Sequence, residues 1–372
     1  SGRYNDIDDP TEFADTITGD LAQVQEDRHL RIWFNPQWVS EEKNRRELDP
    51  EAIERGQWRA RTMNYGFETI EILPGNIGYL KLNSFSYEPQ AYDVANGAMH
   101  LLANVDALII DLRSNGGGSP EMVQFLCSCF LANPRKHLNS FTFRDPEKLT
   151  QYWTYTYLPG PRLDEVELFV LTSENTFSAA EEFAYNLKNL ERAVIVGEPT
   201  GGGAHDNKFV ILTDRFEMGL PFARAVNPVT HTNWEGAGVA PHVTVPQEAA
   251  LPEALALASK AVAEHDGPAY VQNFHAWYRD LYESALSPVS LDAEALLEFV
   301  GTYGPRKITR EDGELYYQRQ ERAKMMTIPM GNDLVRFDES PTFRIRFVRE
   351  EGQVVAIEGL NPDGSTDSHP RG

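Results

Sequence analysis

The strongest constraint on this chain is a recurring change of period, from short apolar runs to helical spacing, with glycine or a polar loop at the joins. Residues 107–112 (ALIIDL) run into SNGGG and then into an apolar stretch at helical spacing over 120–131. Residues 167–172 lead through a polar loop into a helix over 178–190, and the run at 193–197 ends on a second glycine turn. Short buried strands alternating with helices predict an α/β core with mixed or parallel strand pairing. Upstream, 10–26 carries Phe13, Ile17, Leu21 and Val24 on one face behind Asp9 and Pro10, which predicts a capped helix. A β-like run at 29–34 follows, then a charged loop or surface helix over 41–64. A hairpin is expected at 67–73 and 77–82 around Pro74, Gly75 and Asn76. A helix over 89–103 completes this half.

Further strands are expected at 209–213, 222–226 and 243–245, and amphipathic helices at 248–264 and 268–285. After 291–300 the composition shifts, and short alternating segments over 304–357 give the pattern of a small antiparallel β-barrel or sandwich. Residues 361–372 are polar and expected to fray. The chain therefore divides into an N-terminal helical segment (1–64), a core (65–289) and an accessory β module (290–372).

Composition narrows the functional classes. Thirty-four basic against 56 acidic residues give a net charge of −22, which repels phosphate backbones and acidic membranes and argues against nucleic-acid partners. No apolar run reaches the length of a membrane span, so membrane insertion is not expected. Cys127 and Cys129, two apart, are poorly placed for a disulfide, have no metal-ligand spacing around them, and read as small buried residues of a helix. The chain opens Ser-Gly without a signal peptide, which reads as a trimmed start.

Five stretches could carry chemistry. In LTSENTFSAAEE (171–182), Ser178 stands where a helix begins, so free amides and the helix dipole would favour an oxyanion beside its hydroxyl. The same spacing, Ser178 to Glu181, also fits a plain capping box. DLRSNGGG (111–118) bends directly after a buried strand and can turn backbone amides outward as an anion-binding turn. It equally fits a tight turn without a ligand. GEPTGGGAH (197–205) is a second glycine turn ending in His205. DRHL (27–30) and WEGAGVAP (234–241) supply an imidazole and a carboxylate. Together these are nucleophile, base and orienting acid, which are recognised by role rather than by order in the chain.

Read in order, DRHL, IGYL (77–80), DLRSNGGG, the 172–182 run, GEPTGGGAH and WEGAGVAP resemble the tail-specific, or C-terminal processing, serine protease family. The likeness is nearer the branch of the interphotoreceptor retinoid-binding protein, related to the tricorn core protease. It implies a crotonase/Clp-protease-like core of repeated β-β-α units behind a helical N-terminal segment. Carried over by residue, Ser178 is the nucleophile, His29 the base and Glu235 the acid supporting the histidine. Amides of Gly116 or Gly117, with that of Ala179, would form the oxyanion hole, and Asp27 and His205 are accessory candidates.

The chain also departs from the family pattern. The turn at Gly201–Gly203 lacks the lysine of a Ser–Lys dyad, Arg28 stands where the tricorn enzyme has a relaying serine, and His242 stands where the family often has Asp. No PDZ-like insert separates Phe34 from Phe67. The resemblance implies a serine peptidase acting on peptide or unfolded protein, with no metal and no organic cofactor. A periplasmic or extracellular location follows from the family, and a homo-oligomer is compatible with it. Two rival functions use the same scaffold: a non-catalytic binder of apolar ligands, with the aromatics of 152–157 lining a pocket, and an esterase-type acyl hydrolase.

Overall fold

A computed structural model describes residues 2–46, 49–331 and 333–372. The protein is a mixed α/β molecule with small antiparallel sheets in its C-terminal part, and it divides into two compact units, 1–73 with 78–254 and 74–77 with 255–372. Asp9 caps α1 (Pro10–Val24) by accepting from the Thr11 and Glu12 amides, and β1 (Arg31–Phe34) follows. The charged stretch forms two helices, α2 (Pro36–Arg46) and α3 (Pro50–Thr62), the second capped by Asp49.

The first unit is built on a six-stranded sheet. Its strands are β2 (Phe67–Leu73), β3 (Ile77–Leu82), β4 (Ala107–Asp111), β7 (Glu167–Thr172), β8 (Val194–Gly197) and β11 (Val243–Thr244), in the order β11-β8-β7-β4-β3-β2. The pairs β4–β7, β7–β8 and β8–β11 are parallel. Strand β4 is buried along its whole length, which explains its uninterrupted apolar run. Helices α4 (Ala91–Leu101), α5 (Pro120–Phe130) and α6 (Ala179–Asn189) supply the connections, and their apolar faces join β3, β4 and β7 in one core with Leu82, Met99, Leu126, Phe130, Val170 and Phe183. Cys127 and Cys129 are free thiols buried in α5.

A second sheet adds two strands that the sequence reading did not contain, β5 (His137–Phe143) and β6 (Leu149–Trp153), paired antiparallel. Its other members are β9 (His205–Ile211) and the long β10 (Phe216–Val226), with β1 in antiparallel register against β10. Only the ends of β9 and β10 were legible, because Pro221 interrupts the alternation where the β9–β10 register shifts. Since β1 pairs with β10, the N-terminal segment is woven into this unit rather than closed at residue 64.

The division at 254/255 falls within α7 (Gln247–Ala263), and α8 (Ala269–Leu286) and α9 (Ala293–Phe299) belong to the second unit. Two antiparallel sheets span 301–326 and 328–370, and Phe299, Tyr303, Tyr317, Phe337, Phe347 and Ile357 share one core. The division falls before α8 rather than at 289/290 because α8 is tied to the sheets. Trp277 Nε1 donates to the Pro341 carbonyl at 2.9 Å, and the Arg344 guanidinium donates to the Trp277 carbonyl and lies 3.8 Å from its ring centroid. The tail does not fray: Thr366–Pro370 is a strand paired with Gln353–Leu360, and Asp367 holds the buried Arg306. No described helix is long and apolar enough to cross a membrane.

Candidate active site

Ser178 lies at the turn from β7 into α6, half-buried, with φ 53° and ψ −120°. An ordinary N-cap residue has extended backbone, so capping alone does not explain this conformation. A left-handed non-glycine residue costs about 1–3 kcal/mol and persists only where its surroundings over-determine it. Here they do. The Ser178 amide donates to Glu181 Oε2 at 2.8 Å, the Phe177 amide to the Asn115 carbonyl at 3.0 Å, and Thr176 Oγ1 to the Leu112 carbonyl at 2.8 Å.

The glycine turn after β4 is pressed against this residue. A Cβ on Gly117 (φ 110°) would lie 2.8 Å from Ser178 Cβ and 2.9 Å from the Phe177 carbonyl oxygen, so only glycine fits. Asn115, fully buried, fixes the turn by accepting from the Gly117 amide at 2.9 Å and donating to the Leu82 carbonyl at 2.8 Å. Of the two glycine amides expected as alternatives beside that of Ala179, that of Gly117 is therefore occupied by Asn115. Among the described residues, the amides of Gly116 and Ala179 make no hydrogen bond, and they are the two open to a ligand.

His29 is 6% exposed, and its ring lies 4.8 Å from that of Phe177, the residue before Ser178. Gly203 closes the packing: a Cβ there would stand 2.8 Å from His29 Cε1 and 2.2 Å from Phe177 Cζ. Burial pushes the His29 pKa down to about 4, with His205 adding to the shift and Asp27 opposing it. His29 Nδ1 is buried without a hydrogen-bond partner, and no hydrogen bond joins the ring to Ser178.

Glu235 is held by two backbone amides, Arg28 N–H to Oε1 at 2.9 Å and Ala204 N–H to Oε2 at 2.7 Å. Asp27 accepts from the His29 amide at 2.9 Å and pairs with His205 Nδ1 at 2.5 Å. Burial works against the Asp27 charge, but the His205 and His29 contacts hold its pKa below the usual range, while the bond to Asp27 raises that of His205. Donor atoms of Asp27, His29 and Glu235 all lie within 4.8 Å of one another. Residues from distant parts of the chain thus meet beside Phe177, and His205, the weakest of the sequence candidates, stands 3.8 Å from Glu235 Oε2.

The sequence reading gave Glu181 only a capping role. In the fold its buried carboxylate gathers four donors: the Ser178 amide, the Thr200 hydroxyl at 2.5 Å and the Gly202 and Gly203 amides at 2.6 and 2.8 Å. Burial nevertheless raises its pKa to about 7, against the pull of those bonds. Glu181 thereby fastens the Ser178 turn to the turn that packs on His29. The signal for it was present as Ser-x-x-Glu, but one-dimensional spacing gave no hint of the second glycine turn. The His242 imidazole is a backbone acceptor for the Ile195 amide at 2.9 Å, away from this cluster. The hydroxyls of Tyr152 and Tyr155 bond Glu121 and Gln124 of α5, so these rings are anchored to that helix.

Comparison with known proteins relates part of this chain to a family. Residues 76–245 match the model of Peptidase family S41. The chain is 29% identical over 191 residues to carboxyl-terminal-processing peptidase 2, chloroplastic, of Arabidopsis thaliana, covering 47% of the chain and 34% of that protein. It is 27% identical over 172 residues to a carboxyl-terminal-processing protease of Picosynechococcus, covering 46% and 40%. Among solved structures, a photosystem II D1 C-terminal processing protease shares 28% identity at a TM-score of 0.38, over 48% of this chain and 45% of that one. The chain thus spans less than half the length of each of these relatives. The stretch that matches peptidase family S41, residues 76–245, holds the glycine turn, Ser178 and Glu235.

Proposed function

We propose that this protein is a serine peptidase that hydrolyses peptide bonds through an acyl-enzyme on Ser178. The observation that carries the reading is the strained Ser178 backbone, held against Gly117 by Glu181 and Asn115 with the Gly116 and Ala179 amides open beside it. Strain of this kind at a helix start presents a hydroxyl to a substrate carbonyl and free amides to the oxyanion that forms on attack. His29, neutral above about pH 4, takes the Ser178 proton and returns it to the leaving amine. Glu235, fixed by two amides, orients and supports the imidazole, and Asp27 with His205 backs it. Water then releases the acyl group.

The substrate is an extended peptide or unfolded protein, as the names of the processing-protease relatives suggest, and the site of action is periplasmic or extracellular. A purified chain should degrade an unfolded protein substrate, and Ser178→Ala should lower turnover by roughly 10⁴-fold or more. Equal turnover in that variant would remove Ser178 from the chemistry. Cleavage of esters with none of peptides would assign the site to an acyl hydrolase instead.

A further inference from the structure

We propose that Asp27, His29 and Glu235 form a site for a zinc-class divalent cation, whose occupancy switches the Ser178 centre off. The consequence for Ser178 rests on the peptidase reading; the binding site does not. Three observations carry it. Donor atoms of one imidazole and two carboxylates lie within 4.8 Å of one another, a set suited to zinc, which bonds such nitrogens and oxygens at about 2.0–2.2 Å. His29 Nδ1 is buried with no hydrogen-bond partner, so the ring carries an unsatisfied polar atom inside the cluster's own residue.

Finally, the carboxylates are already oriented from outside. Arg28 and Ala204 amides hold Glu235, and the His29 amide and His205 Nδ1 hold Asp27, the arrangement by which outer partners aim metal ligands. Two carboxylates face His205 at 2.5 and 3.8 Å, and a dication relieves their mutual repulsion more fully than one imidazolium does. A cation bound to the His29 ring occupies the lone pair that would accept the Ser178 proton, and the nucleophile stays protonated. The switch is reversible because it breaks no covalent bond.

The test is a zinc titration of the full chain against a chromophoric chelator, read beside fluorophosphonate labelling of Ser178. The expected result is one tight zinc per chain, weakened at least about tenfold in Glu235→Gln and His29→Ala and unchanged in Ser178→Ala. Glu235→Gln keeps the side-chain shape, so it carries the comparison if His29→Ala fails to fold. Zinc should slow wild-type labelling at least about tenfold, with recovery on adding EDTA. No tight zinc, zinc bound equally by Glu235→Gln, or undiminished labelling of the loaded protein would each overturn the proposal. Absence of labelling in zinc-free wild type would overturn the peptidase reading instead, leaving the titration to judge the cation site.

Discussion

The imidazole of His29 lies against Phe177 and Gly203 in a nearly dry setting, and burial sets its pKa at about 4, against 6.5 for a free ring. As the base of the proposed reaction, His29 would work only in its neutral form, so the acid limb should follow this value. The rate of Ser178 labelling should hold steady from neutral pH down to about 5 and reach half near about 4. A midpoint between 6 and 7 would mean that the ring is solvated in the working enzyme. The same burial makes acid destabilising. Between 6.5 and 4 the unfolded chain takes up a proton that the folded ring refuses, so this group's contribution is complete above 6.5 and is lost as pH falls, by about 3 kcal/mol in all. The chemistry of this residue was legible as a histidine beside Asp27 and Arg28. Its burial was not, because Phe177 and Gly203 reach it from far along the chain.

At the scale of elements, the turn into α6 and the turn at Gly201–Gly203 behave as one device joined through Glu181. Glu181→Gln puts an amide NH₂ where a carboxylate oxygen accepts two N–H or O–H donors, leaving buried donors facing each other. It should destabilise the protein by about 2–3 kcal/mol and slow Ser178 labelling, with the labelling loss persisting at temperatures where the variant is fully folded. Melting curves beside labelling rates check this; full labelling in a folded variant would leave Glu181 with stability alone. The strands that carry this device, β4 and β7, were readable because burial on both faces leaves continuous apolar runs. Strands β5, β6 and the tail strand at Thr366–Pro370 were not, since their mixed polar sequences gain strand character from pairing with partners rather than from a period of their own.

Across the whole molecule, the candidate site belongs wholly to the first unit, and residues 255–372 form a second unit with its own aromatic core. Composition put that boundary at 290, since α8 reads as an ordinary amphipathic helix; its ties to Pro341 and Arg344 are tertiary and invisible in one dimension. The order of motifs along the chain supplied the candidates, because Ser178, the Gly116–Gly118 turn, His29 and Glu235 each sit in a short stretch with its own chemistry. The angle of the Ser178 backbone and the four-donor seat of Glu181 needed the fold. The central claim is most directly tested by mapping the adduct of a fluorophosphonate probe on the full chain by mass spectrometry. A single adduct on Ser178, absent in Ser178→Ala and strongly slowed in His29→Ala and Glu235→Gln, is the predicted result. An adduct elsewhere, or one on Ser178 that forms at the same rate without His29 and Glu235, would contradict it.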